Sequence, residues 1–485
     1  MLTKRVERGR AVFTAILVFL AVVSIYIYAS TAYDLYNQEI TRGGRGYVSD
    51  EVWYVSSSRV ILKKIFNLEP KQPSSLYNAT LIFTGKPNIS KLNETAVAYG
   101  VIINTKLSFS KLNAVYISGD KKSVRSFINS LGGNVTDVIP GWVLPDNEGI
   151  NNYINWEHPP LSKYLIALVM YTLGDNPFYW RIPVVTAGVL TVIFTFLVAY
   201  RLTESTIASL AVSLFTLMDP ISRALFSIAL LDGYMALFTV IALYYALRGK
   251  YRGAVLVSLI GACFKSSMLF TTIPLLVLLA RREAVIRGRS VPVFVKSLIR
   301  YGAIMLLAYL ALLALVSIPI MNYMGITNWV SYGVIGAARW HASVKCTDPA
   351  KCPISSSPWD WFIGVNSFLL YIYLDNTRLY ATGYYPLWSL SLILLILFAP
   401  LVFTRKRLYG HVVLVFLGTL LGYIGLWIIG GRTQYSFYAV HFAPLVYTNL
   451  VYVFAKIIPR RELVKETVET WVKLALTIIS KLTLL

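Results

Sequence analysis

Charge is scarce in this chain. Asp, Glu, Lys and Arg make up 14% of 485 residues, against roughly 25% in a typical soluble protein. Hydrophobic residues supply 56% and mean hydropathy is +0.61, the composition of a polytopic membrane protein. Acid is scarcer still, with 23 Asp and Glu against 45 Lys and Arg, a net charge of +22. A nucleic-acid binder can show such a balance. Here, however, the cations sit in short segments between apolar spans, including Lys4 to Arg10, Arg248 to Arg252, Arg281 to Arg289, Arg405 to Arg407 and Lys456 to Lys465. The positive-inside rule accounts for that pattern, so no nucleic-acid partner is expected. Three cysteines exclude a disulfide-rich scaffold. Cys346 and Cys352 share a polar segment and could form a bridge if that segment is extracytoplasmic; with no other His or Cys at ligand spacing, zinc is the weaker reading. The chain has no internal repeat and lacks the duplicated, Gly/Pro-broken segments of many secondary transporters.

What is present is a series of apolar runs. Residues 11–32 are long enough to span and read as an uncleaved signal anchor with a cytoplasmic N-terminus. A long outside loop follows to about 180, then spans near 182–200, 206–219 and 226–247. The runs 253–264 and 267–280 are each short for a span of ~20 residues and read as a broken pair meeting at Lys265. A span near 297–320, a second outside loop and spans near 387–403, 410–429 and 438–455 follow. The tail from Glu462 fits either a surface helix or a final span. The fold class predicted is an all-α polytopic membrane protein of about ten or eleven spans with a small α/β insertion in the first outside loop. In that insertion Asn113–Ser118 and Val135–Ile139 read as strands and Lys121–Leu131 as a helix stopped by Gly132-Gly133. The organisation is 1–66, first span and acidic-pair helix; 67–150, insertion; 151–320, membrane core; 321–386, late outside loop; and 387–485, C-terminal helices and tail. All four Asn-x-Ser/Thr sequons, at Asn78, Asn88, Asn93 and Asn134, fall in the first loop, which agrees with its placement outside.

Candidate chemistry begins at Asp50-Glu51, just after the first span. Val60, Ile61, Ile65 and Phe66 continue from it at helical spacing, as in an amphipathic helix on the bilayer surface. Helix N-terminal charges are the plainer reading of the pair; a general base and its partner are the chemical one. Trp156-Glu157-His158-Pro159-Pro160-Leu161-Ser162-Lys163 suits a helix entry, yet it gathers Glu157, His158 and Lys163 beside the membrane. Arg181 stands at the mouth of the second span, as a snorkelling interface residue or a phosphate ligand. Asp232, Lys265 and Arg432 interrupt apolar sequence, where ionisable groups are costly and mark function or pair with each other.

An acidic pair after the first span, the His158-Pro159-Pro160-Leu161-Ser162-Lys163 helix start, Arg181, Ser357-Pro358-Trp359-Asp360-Trp361 and the Gly431–Tyr438 segment with His441 and Pro444 occur in one order along most of the chain. Together they resemble the protein O-mannosyltransferases, membrane glycosyltransferases of the GT-C type. The chain is similar to archaeal members lacking the MIR domain, for which residues 321–386 are too short, while its first loop carries the 67–150 insertion instead. The resemblance implies a GT-C fold and a polyprenyl-phosphate sugar donor, of the dolichyl-phosphate-mannose kind. It implies inverting transfer outside the cytoplasm to Ser/Thr hydroxyls of secreted or membrane proteins, in a cell-membrane enzyme that often works as a dimer. Asp50 matches the family's base, with Glu51 orienting the acceptor or tuning that base. Arg181, Arg432 and Lys265 become candidates for the donor phosphate. Glu157, His158, Lys163, Asp232, His341, Trp359, Trp361 and His441 become candidates for shaping the site or meeting the acceptor. No cofactor is implied, although a divalent ion at Asp50/Glu51 is an alternative. The same fold and donor would also serve a glycan or lipid acceptor. A transporter or lipid scaffold is the rival of another class.

Overall fold

The computed structural model describes residues 2–288, 290–343, 354–403 and 407–482. Cys346 and Cys352, and with them the bridge they could form, lie outside the described residues.

The chain is a mostly helical, polytopic membrane protein carrying a small β-sheet insertion. Helix α1 (Leu2–Thr41) runs about three turns past the run expected to end near residue 32. It leads through a Gly-rich turn into α2 (Glu51–Val60), which a π-helical turn extends to Ile65. This segment does not lie on the bilayer surface as its apolar spacing suggested. Tyr54, Val55, the three serines Ser56 to Ser58, Arg59, Val60, Ile61 and Leu62 are all buried, because α5 (Leu161–Thr172) packs along it and the insertion is tied to its far end. A short α6 (Pro177–Trp180) then opens α7 (Ile182–Thr203). Helices α8 (Thr206–Met218), a short α9 (Pro220–Leu225), α10 (Asp232–Leu247) and α11 (Tyr251–Ala262) follow. A 3-10 turn at Ser266–Met268 separates α11 from α12 (Leu269–Ile286), so the expected break at Lys265 is present. Helix α13 (Val291–Val316) leads to the short α14 (Ile318–Met324) and α15 (Ile326–Asn328), a π-helical stretch Trp329–Gly336 and α16 (Ala337–Ser343). After α17 (Asp360–Ile363) comes a hairpin of β5 (Phe368–Ile372) and β6 (Arg378–Ala381) that the sequence reading left as loop. Helices α18 (Tyr385–Leu397), α19 (Arg407–Ile429), α20 (Ala443–Tyr452) and α21 (Arg461–Leu482) complete the chain. Strand numbers β1 to β4 belong to the insertion, described below.

Five stretches among the described residues are long and apolar enough to cross a membrane: Ala11–Thr41, Pro177–Thr203, Val291–Val316, Leu408–Ile429 and Ser436–Ile457. Shorter apolar helices, among them α8, α10, α11 and α18, pack between them. Helix α21 is not among the membrane-crossing stretches. Glu462, Lys465, Glu466 and Glu469 fall in its first half, and its Trp471 indole donates to the Leu397 carbonyl at 2.8 Å.

The insertion is a four-stranded antiparallel sheet of order β2-β3-β1-β4: β1 (Tyr77–Phe83), β2 (Ile102–Ile103), β3 (Ala114–Gly119) and β4 (Val135–Pro140). Helices α3 (Ile89–Ala98) and α4 (Lys121–Ser130) supply Leu92, Ala96, Val124 and Phe127 to its core. Period-2 alternation turns Tyr77, Ala79, Leu81 and Phe83 toward those helices. Thr80 faces the other way, fully buried, where its hydroxyl accepts the Leu144 amide at 3.3 Å. Strand β1 ends at Phe83; at its other end the Asn78 carbonyl accepts the Gly141 amide.

Two kinds of contact hold the insertion there. Lys63 and Lys64 reach Asp137 on β4, with side chains about a quarter exposed. Such pairs are worth ~0–1 kcal/mol, so Asp137→Ala is expected to leave thermal unfolding in detergent nearly unchanged. The buried contacts carry more. The Asp175 carboxylate accepts Arg59 Nε at 2.6 Å and Arg59 Nη2 at 3.0 Å. It also accepts the Trp142 amide at 2.9 Å and the Trp180 indole at 2.7 Å. Tyr47 donates to the Val143 carbonyl at 2.7 Å, and the Trp142 indole to the Arg45 carbonyl at 2.7 Å. The segment following the insertion's last strand therefore docks, through Trp142 and Val143, against residues 45–47 of the loop that leads to Asp50.

Candidate active site

Asp50 and Glu51 are neighbours in sequence but meet different environments. Adjacent residues at a helix start project about 100° apart and do not face one way. Glu51 turns inward and is fully buried. Its Oε1 accepts Arg181 Nε at 2.8 Å and the Ala229 amide at 2.7 Å; its Oε2 accepts Arg181 Nη2 at 2.8 Å and the Val48 amide at 2.8 Å. Arg181 is equally buried and spends its remaining donors on the carbonyls of Ala32, at 2.8 Å, and Gly46, at 3.1 Å. This corrects two expectations. Arg181 is not free to hold a phosphate, and Glu51 has no lone pair left to orient an acceptor or bind a divalent ion, since a carboxylate offers about four acceptor sites. The pair instead bolts together the end of α1, the 46–48 loop, the start of α2 and the 226–231 turn.

A second ion pair of opposite polarity, Arg59 with Asp175, fixes the other end of α2 to the segment just before Arg181. The acid-bearing helix is thus clamped at both ends against residues 175–181. Asp50 is left half-buried at the helix start, and no described protein group hydrogen-bonds to its carboxylate. Burial pushes that carboxyl up to about 6; Lys265 pulls it down and Asp232 pushes it further up. A carboxylate that is unsatisfied, partly desolvated and poised near neutrality has the properties of a general base.

Lys265, whose charge acts on Asp50, lines a cavity of about 320 Å³; Asp50 itself is not among the lining residues. Lys265, Ser266, Ser267, Glu157, His158, His341 and the tyrosines Tyr309, Tyr423 and Tyr438 supply its polar lining. Leu269 and Phe270 of α12, Leu310 and Leu313 of α13, Val334 of the Trp329–Gly336 stretch and Leu426 of α19 supply apolar lining. The break between α11 and α12 is what delivers Lys265 to the cavity. Its Nζ donates to Asp232 Oδ1 at 2.6 Å and sits 4.0 Å from the centre of the Tyr438 ring. Asp232 Oδ2 has no partner among the described residues, so the pair is not saturated.

His158 and His341 meet at 5.4 Å between ring centres, and His341 Nε2 lies 3.2 Å from the Glu157 carbonyl oxygen. Burial lowers His158 well below the usual imidazole range, with His341, Lys265 and Lys163 adding to the effect; burial lowers His341 too. Both rings are therefore neutral at pH 7. The Glu157 carboxylate accepts from the Tyr153 hydroxyl, which also accepts from Asn155 Nδ2 at 2.9 Å. Tyr153 stands edge-on to Trp53, two residues after Glu51 on α2. This links the cavity wall to the Asp50 helix.

The other candidates divide. Lys163 touches the cavity, but its Nζ is committed to the carbonyls of Asn155 at 2.6 Å, His158 at 2.9 Å and Ile154 at 3.2 Å, so it pins the 154–158 loop. Arg432 is exposed, with its guanidinium 5.1 Å from the Trp427 ring, and is not part of the cavity lining. Trp359 stands against the same Trp427, at 4.9 Å, forming an exposed aromatic group with Arg432. Trp361 is buried, and its indole donates to Ser356 Oγ at 2.8 Å. His441 is buried behind the cavity, 2.9 Å from the Tyr423 hydroxyl. Trp361 and His441 thus act as core, not as groups facing an acceptor. Sequence reading missed Tyr309, whose hydroxyl lies 3.1 Å from Ser266 Oγ, as well as Arg59 and Asp175. Tyr438 was carried only as part of its segment. With 33 tyrosines in the chain, nothing local distinguished those that line the cavity.

No protein-family model matches the chain. Over 115 residues it is 30% identical to a polyprenol-phosphate-mannose–protein mannosyltransferase of Corynebacterium glutamicum, a stretch covering 23% of this chain and 22% of that protein. Proteins of the same description from Mycolicibacterium smegmatis and Mycobacterium tuberculosis are 30% identical over 104 residues, 21% of this chain and 20% of theirs. The match thus spans about a fifth of the length of these curated relatives. Among solved structures, ArnT from Cupriavidus metallidurans bound to undecaprenyl phosphate superposes with a TM-score of 0.47 at 12% identity, over 96% of this chain and 64% of that one. Its apo state gives 0.42 over 66% of this chain and 53% of that one. This chain is therefore similar, over a limited stretch, to bacterial mannosyltransferases that act on proteins.

Proposed function

We propose that this chain is a GT-C-type membrane glycosyltransferase that moves a sugar, mannose in the first instance, from a polyprenyl-phosphate carrier to a Ser or Thr hydroxyl of a protein, on the extracytoplasmic face. The observation that carries the reading is one cavity lined by many apolar side chains, suited to a prenyl chain, and by Lys265, which stands within electrostatic reach of an unsatisfied carboxylate, Asp50. The partial sequence match to polyprenol-phosphate-mannose–protein mannosyltransferases supports a polyprenyl-phosphate donor and motivates the choice of a protein acceptor.

In this mechanism Asp50 takes the proton of the acceptor hydroxyl as its oxygen attacks the anomeric carbon. The bond from that carbon to the phosphate oxygen breaks on the opposite face, so configuration inverts. Negative charge grows on the departing lipid phosphate, and Lys265 with the nearby tyrosine and serine hydroxyls stabilises it more in the transition state than in the ground state. Of the three cations considered for the donor phosphate, Arg181, Arg432 and Lys265, only Lys265 lines the cavity. A phosphate leaving group needs no dedicated acid.

Two results follow. Asp50 works ionised, and its pKa is raised to about 6, so transfer climbs as pH rises through about 6 and is flat above; at pH 5 the rate is roughly a tenth of the plateau. A profile already flat at pH 5 would exclude Asp50 as the base. Lys265→Gln keeps a donor for Asp232 but removes the charge, and is expected to lower kcat/KM for the donor roughly 10–100-fold, the worth of a charge-assisted bond of ~1.5–3 kcal/mol. An unchanged donor kcat/KM in the folded variant would remove Lys265 from the site.

A further inference from the structure

The four sequons lie in the insertion and play no part in the cavity, and the fold treats them differently. Asn78 sits on the central strand β1: its carbonyl accepts the Gly141 amide, its own amide donates to Gln72, and the Thr80 of its sequon is fully buried. Asn93 is exposed on α3, but the Thr95 hydroxyl donates to the Lys91 carbonyl at 3.0 Å. Asn134 is exposed, but the Thr136 hydroxyl donates across the sheet to the Ile82 carbonyl at 3.2 Å. Asn88-Ile89-Ser90 is exposed at all three positions, and the Ser90 hydroxyl makes no hydrogen bond to another described group. Its Asn follows the turn Gly85-Lys86-Pro87 with an extended backbone, φ −77° and ψ 100°.

We propose that Asn88 is an N-glycosylation site and that Asn78 stays unmodified. The inference rests on the sequons and the insertion's geometry, and does not depend on the reading of the cavity. The donor class is a saccharide carried on a lipid phosphate or pyrophosphate. Asn88 Nδ2 attacks its anomeric carbon, a carbon–nitrogen bond forms, the bond to the phosphate oxygen breaks, one amide proton leaves and the lipid phosphate departs. The folded structure accepts the product. Asn88 caps α3 through Oδ1, which accepts the Lys91 amide at 3.2 Å, and modification at Nδ2 leaves that acceptor in place. The site also lies past the Phe83 end of β1, whereas residues 141–144 at the opposite end of the sheet dock beside the Asp50 loop. Neither Asn88 nor Ser90 is among the residues lining the cavity, and all three sequon positions are exposed.

The test is glycopeptide mass spectrometry on the full-length protein purified from its native membranes. Trypsin leaves Gln72–Lys91 as one peptide, since Pro87 protects Lys86, so electron-transfer fragmentation is needed to separate Asn78 from Asn88. The expected result is a saccharide mass on Asn88, absent in Asn88→Gln and in Ser90→Ala, with unchanged thermal unfolding in Ser90→Ala, which keeps the Asn88 cap of α3. A peptide found only unmodified, or a saccharide on Asn78, overturns the proposal.

Discussion

Asp50→Asn is expected to reduce sugar transfer roughly 10²–10⁴-fold, the usual worth of a general base, with thermal unfolding unchanged. The separation of the two effects comes from the carboxylate's surroundings. No described protein group hydrogen-bonds to it, so the near-isosteric amide breaks no internal bond. Removing a half-buried charge whose pKa is already raised to about 6 relieves a desolvation cost and creates none. Donor binding should change little, because Asn leaves the Lys265–Asp232 pair and the apolar lining in place. The loss therefore appears in kcat. An Asp50→Asn protein that transfers at the wild-type rate would place the base on the cavity wall instead, with Glu157 first in line.

The second large effect belongs to Arg181. Arg181→Ala leaves Glu51 fully buried with its charge uncompensated, and breaking one side of such a pair costs about 3–5 kcal/mol. The variant is expected to unfold at markedly lower temperature, or to fail to accumulate, and Glu51→Ala should behave alike. Asp175→Ala should weaken the opposite end of α2 in the same sense. The distinguishing experiment replaces the buried pair together: Glu51→Gln with Arg181→Met recovers a large part of the lost stability, because neither charge is then stranded. If Arg181 were a phosphate ligand, Arg181→Ala would fold normally and show only a raised KM for the donor. That outcome would contradict the clamp described above.

The sequence revealed class and site region more readily than it revealed roles. Scarce charge and long apolar runs identified a membrane protein, and two runs too short to span predicted the break that places Lys265. In the insertion, β3, α4 and β4 follow from clean periodicity and the Gly132-Gly133 stop. Strand β1 was not read, although Tyr77, Ala79, Leu81 and Phe83 alternate with Asn78 and Thr80 as a one-sided strand does, and the β5–β6 hairpin lies in a stretch read as loop. Asp50 and Glu51 looked like one working unit because they are adjacent, yet a helix start sends neighbours to different faces. What decides Glu51 is Arg181, 130 residues away, and no local pattern reports such a partner. Arg432 and Arg181 seemed better phosphate ligands than Lys265 by side-chain chemistry. Position reversed that ranking: one arginine is sealed in the core, the other is exposed beside Trp427, and the lysine lines the cavity.

The most direct test of the central claim is a single-turnover assay with the purified protein in nanodiscs, given polyprenyl-phosphate-[³H]mannose and a Ser/Thr-rich peptide, wild type beside Asp50→Asn. The account predicts label on peptide hydroxyls with wild type, and its loss in an Asp50→Asn protein of equal thermal stability. Folded wild-type protein that moves no label to the peptide, or Asp50→Asn that moves as much as wild type, would contradict it.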